Sequence, residues 1–434
     1  MFGSNLPAFG IYGRHLRGLR MRQVAIAGIT GDSRPASLGR PPVIYLASTS
    51  GTVQFPACRL SSYLFSSRRV VVRYRKLSPP AICAAILALF SMCLATFGQY
   101  ATKAKTSLAT PLMAQLSRFT AADVPSLSPS EMEVAPLKWD QRNSSGLPGN
   151  GMAQHPMLYI GEGYNKILLV NKGKITWTYS TGSDWEYDDV WMLSNGNILF
   201  TRMQYIAEVT PNKQVVWRYD APKGTEIHTC QPIDLDKVLF VLNGLPPRLM
   251  VVNIKTNAVE VQHELPAPSL TDTKTIHGQF RRVRYTAQGT YIASFLEMDR
   301  VVEYDKDFKE IWAYDIKSPW AALRLKNGNT LITDEKDVLT REVNPKKETV
   351  WELRPDDLPE AYRFINTQSA TRLANGNTII CSRRGDGNGP QLVEVTPEKK
   401  VVWVLKDWAN FGPATAVQVL DDPGVPEKPG QSQH

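Results

Sequence analysis

The strongest constraint on this 434-residue chain is a hairpin motif that it uses three times. Leu193-Ser-Asn-Gly-Asn-Ile-Leu-Phe200, Leu325-Lys-Asn-Gly-Asn-Thr-Leu-Ile332 and Leu373-Ala-Asn-Gly-Asn-Thr-Ile-Ile380 each set Asn-Gly between two apolar runs. That dipeptide accepts the positive φ angles of a type I′ turn, so each copy predicts a tight β-hairpin. Weaker copies stand at residues 235–240 and 287–292. A second motif follows the first: Glu208, Glu303, Glu342 and Glu394 precede Trp217, Trp312, Trp351 and Trp403 by nine positions. Leu168 before Trp177 and Val252 before Val261 keep the same spacing.

The six marks at 177, 217, 261, 312, 351 and 403 are separated by 39 to 52 residues, room for four short strands and variable loops. Twisted sheets of that size bury their faces only against one another, and radial stacking gives a β-propeller. The expected fold is therefore all-β, a six-bladed β-propeller over residues 151–425. The first unit lacks its own Asn-Gly-Asn hairpin, while a spare strand, Ala414-Thr-Ala-Val-Gln-Val-Leu420, follows the last Trp. That strand is expected to complete the first blade and close the ring. The recurrent Trp is read as filling the same slot between blades each time, and the Glu as marking a strand edge.

Charge is placed unevenly. Residues 1–80 hold twelve Lys/Arg against one acidic residue, Asp32, a net of +11, so the formal +9 of the whole chain leaves the rest at −2. The propeller region thus gives no electrostatic reason to expect nucleic acid. Residues 81–98 are uncharged and apolar behind Arg68, Arg69, Arg73, Arg75 and Lys76, the layout of a signal peptide or an N-terminal anchor. The expectation is an exported, periplasmic or secreted chain, with membrane contact only through an uncleaved leader. A signal this far from residue 1 points to translation starting near Val70 to Val72, which makes the upstream segment a start-site artefact. Residues 102–150, rich in Ala, Ser, Thr and Pro, read as an extended linker arm, and residues 426–434 as a disordered tail. Cys230 and Cys381 fall in different blades and are expected as free thiols; the chain is expected to be a monomer.

In a propeller the innermost strands line a channel, and the loops entering them form one face of the disc. The segments before each hairpin carry Trp185, Glu186, Asp188 and Asp189; Glu226, His228 and Gln231; His277, Arg281, Arg282 and Arg284; Trp320; Asn366, Gln368 and Arg372; and Thr415. Most are polar or charged where packing would favour Val or Ile, which predicts a ligand site. The arginines suggest a small anionic ligand. His228 and His277 sit at one point of successive inner strands and are the candidate catalytic residues. They could also be hydrogen-bonded strand ends. With Glu226, Asp188 or Asp189 they would suit Zn²⁺, although no close-spaced ligand motif supports a metal. The Gly-rich loop 383–390 could hold Ca²⁺ through Asp386 and Asn388, or simply form a hairpin tip.

The paired Leu-x-Asn-Gly-Asn-x-Leu and Glu/Trp motifs, over residues 155–420, resemble the quinoprotein-like (pyrroloquinoline-quinone-like) propellers, especially the arylsulfotransferase-like branch. The resemblance implies the propeller; it leaves activity open, because fold and function separate. Six blades argue against the quinone cofactor, whose users are usually eight-bladed. The arylsulfotransferase-like branch implies sulfuryl transfer through a channel His, here His277 or His228, with Arg281, Arg282, Arg284 and Asn366 neutralising the anion. The superfamily also contains propellers that only scaffold other proteins, so a protein partner is the competing expectation.

Overall fold

The computed structural model describes residues 20–24, 47–54, 111–119, 146–161, 166–182, 185–383, 387, 389–408 and 410–434. The chain divides into two units, Met1–Thr106 and Ser107–His434. The first contributes one antiparallel strand pair, Arg20–Val24 with Ala47–Gln54. The apolar leader at 81–98 and the Asp386 and Asn388 positions lie outside the described residues. Among those described, no helix is long and apolar enough to cross a membrane.

Among the described residues, the second unit consists of six four-stranded antiparallel sheets, each a blade. From channel to rim, blade 2 is Val190–Met192, Ile198–Thr201, Tyr205–Val209 and Val215–Asp220. Glu226–Ile233, Phe280–Tyr285, Pro319–Arg324 and Thr367–Arg372 are the inner strands of blades 3 to 6. Blade 1 is built from both ends of the unit: Ala416–Val419 pairs with Met157–Ile160 in the order expected for ring closure.

The two repeated motifs are one device. In each Asn-Gly-Asn copy the leucine carbonyl accepts from the glycine N–H, and the leucine N–H donates to the carbonyl of the second asparagine. Only the glycine takes a positive φ, +84° at Gly196, +89° at Gly328 and +94° at Gly376. The turn is therefore type I followed by a left-handed glycine, not the type I′ turn that the dipeptide suggested. The difference comes from the asparagines. The first accepts the N–H of the second, and the side chain of the second reaches the repeated glutamate at 2.6 Å in Asn197–Glu208, Asn329–Glu342 and Asn377–Glu394. The glutamate is thus a buried receptor for the turn rather than a strand-edge marker.

Directly across the next strand pair from each of Glu208, Glu303, Glu342 and Glu394 stands its tryptophan. In the two degenerate blades the facing residue is displaced by one, to Leu169 (after Leu168) for Trp177 and to Val251 (before Val252) for Val261. The indole N–H then crosses to the following blade: Trp177 donates to the Pro211 carbonyl at 2.7 Å, Trp217 to Asn257 Oδ1 at 3.0 Å, Trp351 to the Pro397 carbonyl at 2.8 Å. Trp403 closes the series on the Gly151 carbonyl, ahead of blade 1. Filling the space between blades is thus the tryptophan's role, as the fixed spacing suggested.

Two segments depart from expectation. Within the supposed linker, Pro111–Gln115 and Leu116–Arg118 form a short helical stretch whose Leu112, Leu116 and Phe119 are buried against blades 1 and 2, with Phe119 edge-on to Trp177 at 5.7 Å. Apolar residues at helical spacing supply the anchor. The supposed disordered tail is also placed. It crosses the face that carries the inner hairpins, where the Glu427 carboxylate accepts the Ser194 N–H and the Glu427 carbonyl accepts the Asp234 N–H. It ends with His434 buried in the channel. Polar contacts with backbone groups hold this segment, and they leave no periodic signal.

Candidate functional site

The site is set by how the inner strands begin. The inner strands of blades 3, 4, 5 and 6 each carry a bulge near the start, at Ile227/Cys230, Phe280/Val283, Pro319/Ala321 and Thr367/Ala370. A bulge breaks the in–out alternation and re-aims side chains, and bulges gather next to functional sites for that reason. His228 lies inside the bulge of blade 3, and Arg281 and Arg282 inside that of blade 4.

Side chains from blades 2, 3 and 4 meet there in two layers. In the layer at the channel mouth, the fully buried His228 has Nδ1 2.8 Å from Asp188 Oδ2 and Nε2 2.9 Å from Glu226 Oε2. The same Glu226 oxygen is 2.9 Å from His277 Nδ1, and the two imidazoles are edge to face with centroids 5.1 Å apart. His277 is 47% exposed, so the mouth opens at this residue. Arg281 donates to His277 Nε2 at 2.9 Å, donates also to the His277 carbonyl, and lies over the Trp320 ring. The result is a continuous chain from Asp188 through His228, Glu226 and His277 to Arg281.

Electrostatics follow from this packing. Burial favours a protonated Glu226, but its hydrogen bonds to His228 and His277 overcome that and bring it down to about 2. For Glu186, burial and the neighbouring Asp188 push the carboxyl upward. Its Oε2 and the Asp188 Oδ1 are buried without a hydrogen-bond partner. The Glu226 bond raises His277 above the usual imidazole value against burial and Arg281.

Below lies a second layer. Arg284 grips Asp189 with two bonds, 2.8 and 3.1 Å, and the Cys230 N–H and Thr229 hydroxyl also donate to that carboxylate. Burial opposes the charge on Asp189, yet Arg282 and Arg284 hold it well below the usual carboxylate range. Arg282 donates to the Asp188 carbonyl at 2.6 Å, and Arg284 to the His434 carbonyl at 2.7 Å. His434 Nε2 is 2.8 Å from the Val190 carbonyl, with its ring against Trp191. Arg282 and Arg284 are therefore engaged in closing the channel, not presented to a ligand.

The remaining candidates are not brought to the imidazoles. Trp185 is half exposed beside Glu186. Gln231 binds both the N–H and the carbonyl of Tyr285, joining blades 3 and 4. Arg372 pairs with Glu342 at 2.8 Å and covers Trp351, a joint between blades 5 and 6. Asn366 gives its carbonyl to the Arg383 N–H, Gln368 lies buried in its strand, and the Thr415 carbonyl accepts from Ser369. A surface hollow of about 290 Å³ between blades 4 and 5, lined by Asp299, Asp334, Asp337 and Arg341, is separate from this chemistry. Cys230 and Cys381 are free and buried, and burial pushes the Cys381 thiol up to about 12. Sequence reading placed neither His434, buried in the channel, nor His155, whose Nε2 is 3.1 Å from Glu394 at the joint between blades 6 and 1.

These features define the chain as a six-bladed β-propeller with a His–carboxylate–Arg cluster at one channel mouth. No family model and no curated protein matches the sequence. Among solved structures, a protein of unknown function from Bacteroides caccae matches with a TM-score of 0.55 and 26% identity, over 60% of this chain and 97% of that one. A streptogramin B lyase gives 0.42 and 12%, over 62% and 86%. BamB from Moraxella catarrhalis gives 0.34 and 13%, over 55% and 66%.

Proposed function

We propose that the protein is an exported small-ligand-binding propeller, with the ligand held at the channel mouth by Glu186, Asp188, Glu226, His228, His277 and Arg281. One observation carries this reading. Buried carboxylate oxygens of Glu186 and Asp188 lack partners beside two imidazoles that share a third carboxylate, at the open end of the channel. Each such unsatisfied carboxylate oxygen costs about 1–3 kcal/mol, and a ligand bound at the mouth would supply the partner it lacks. The anionic ligand suggested by the arginines is narrowed accordingly. Arg282 and Arg284 are committed to Asp189 and backbone carbonyls, leaving Arg281 as the arginine beside the mouth.

Thermal-shift measurements with glycine betaine, citrate, lactate and p-nitrophenyl sulfate test the reading. At least one compound is expected to raise the melting temperature of the native sequence by a few degrees and to lose that effect in Glu226→Gln. Equal shifts in both proteins, or none in either, overturn it. Sulfuryl transfer, the finer expectation, would require His277 as nucleophile. His228 is closed to solvent with both nitrogens on carboxylates, and His277 has its own nitrogens on Glu226 and Arg281. The ligand-binding reading therefore expects p-nitrophenyl sulfate to remain uncleaved. Recruitment of a protein partner through the disc face is the competing class, and it predicts binding that is indifferent to Glu226→Gln.

A further inference from the structure

We propose that the channel mouth holds a divalent transition-metal ion of the zinc type, bound by His228 Nε2, His277 Nδ1 and Glu226 Oε2. The inference rests on the ligand-site reading and names what that site binds first. Along the sequence these residues show no metal-ligand spacing; the ring brings them together from blade 3 and the loop entering blade 4. Their ligand atoms lie within 4.8 Å of one another, and Glu226 Oε2 is 2.9 Å from each imidazole nitrogen. Bonds of about 2.0–2.2 Å in tetrahedral geometry place neighbouring donors roughly 3.3–3.5 Å apart. An ion would replace the two bridging protons once Glu226 Oε2 draws back from each nitrogen by roughly half an ångström and the two imidazole nitrogens, which lie within 4.8 Å of one another, settle at the same tetrahedral spacing.

Three further features fit. His228 turns its other nitrogen to Asp188 at 2.8 Å, and a carboxylate behind a ligating imidazole fixes the ring and strengthens it as a donor. Asp188 is fully buried, and its second oxygen is one of the unpartnered atoms, as is Glu186 Oε2. A divalent charge beside them offsets the cost of burying that negative charge. Two imidazoles and a carboxylate are also the donor set that zinc, iron, cobalt or manganese take, in contrast to the all-oxygen shells of calcium and magnesium.

The arrangement has a consequence for the ligand. When a metal takes the Nδ1 lone pair of His277, the remaining ring proton sits on Nε2, where Arg281 now donates. Two donors cannot face each other, so Arg281 leaves the imidazole and its guanidinium becomes available beside the solvent-facing coordination position. A metal and a released arginine together select a small ligand with anionic oxygen, such as a carboxylate.

The test uses the full chain without a histidine tag, stripped with a chelator, then titrated with Zn²⁺ by calorimetry and with Co²⁺ by visible absorption. One ion per chain, with a dissociation constant below about 1 µM, is expected. His277→Ala, at a half-exposed position, is expected to weaken binding by at least about 100-fold and to abolish the cobalt bands; Asp188→Asn is expected to weaken it by about 10–100-fold. His263→Ala, at a ring stacked on Phe308 in another part of the fold, should leave both readouts unchanged. Failure to bind an ion stoichiometrically overturns the proposal, as does an unchanged affinity in His277→Ala. So does dependence on Glu186 alone, which would move the ion to the neighbouring trio Glu186, Asp188 and His228. Repeating the small-molecule thermal shifts in excess chelator separates the two claims. A Glu226-dependent shift that survives keeps the ligand site and removes the metal, whereas loss of every shift together with absent zinc binding removes both.

Discussion

At the residue scale, His155 shows how one side chain can complete a repeat. In two successive joints an arginine at the end of an inner strand pairs with the repeated glutamate of the blade before it and covers that blade's tryptophan: Arg324 with Glu303 and Trp312, Arg372 with Glu342 and Trp351. At the joint between blades 6 and 1 the same place is taken by His155, 3.1 Å from Glu394, edge-on to Trp403, and 3.1 Å from Asp421. Burial disfavours the imidazolium, but the two carboxylates outweigh burial and raise His155 to about 9. A group whose proton affinity rises on folding stabilises the fold fully below its unfolded value near 6.5 and ceases to do so as pH climbs past about 9. The melting temperature is expected to fall across that window, by an amount equivalent to at most about 3 kcal/mol. His155→Gln should flatten the slope; an unchanged slope would remove His155 from the closure. The sequence reading grouped Arg372 with the ligand site, although Arg-Leu-x-Asn-Gly-Asn recurs at 324 and 372 and a residue shared by a repeat is more often structural than ligand-binding. The role of His155 was not legible in the sequence, because nothing ahead of blade 1 repeats.

At the element scale, the hairpins and the outer-strand tryptophans depend on each other. The turn orients its second asparagine toward the glutamate, the glutamate faces the tryptophan across the strand pair, and the tryptophan reaches the next blade. This coupling explains why the two motifs keep a common period while loops vary in length. Periodicity and turn chemistry were enough to read the blades, whereas the turn class depended on side-chain bonds that the Asn-Gly pair alone does not specify. Closure is the element on which the ring depends. Ala416–Val419 supplies the innermost strand of blade 1 and pairs with all of Met157–Ile160, while Gly161 lies so close to the Pro413 carbonyl that a Cβ there would sit 1.6 Å from the oxygen. Deleting residues from Gly412 onward leaves Met157–Ile160 with an unpaired edge in what was the core. Such a truncation is expected to abolish the cooperative thermal transition; a truncated chain that melts at the native temperature would contradict closure by this strand.

At the scale of the whole molecule, the ring turns residues scattered over a hundred positions into one cluster. Which residue types occupy the channel mouth could be read from the segments before the hairpins. Which of them meet could not, because bulges at the starts of the inner strands decide where His228, Arg281 and Arg282 point. The three arginines of blade 4 therefore looked like one anionic-ligand patch, although Arg282 and Arg284 close the channel against Asp189 and His434 while Arg281 stands at the mouth. For the proposed site on blades 2, 3 and 4, an anomalous-scattering map from crystals of the full chain grown with zinc is the most direct test, and one strong peak within about 2.3 Å of Glu226, His228 and His277 is expected. A map with the ion elsewhere, or with the two imidazoles on different faces of the disc, would contradict it.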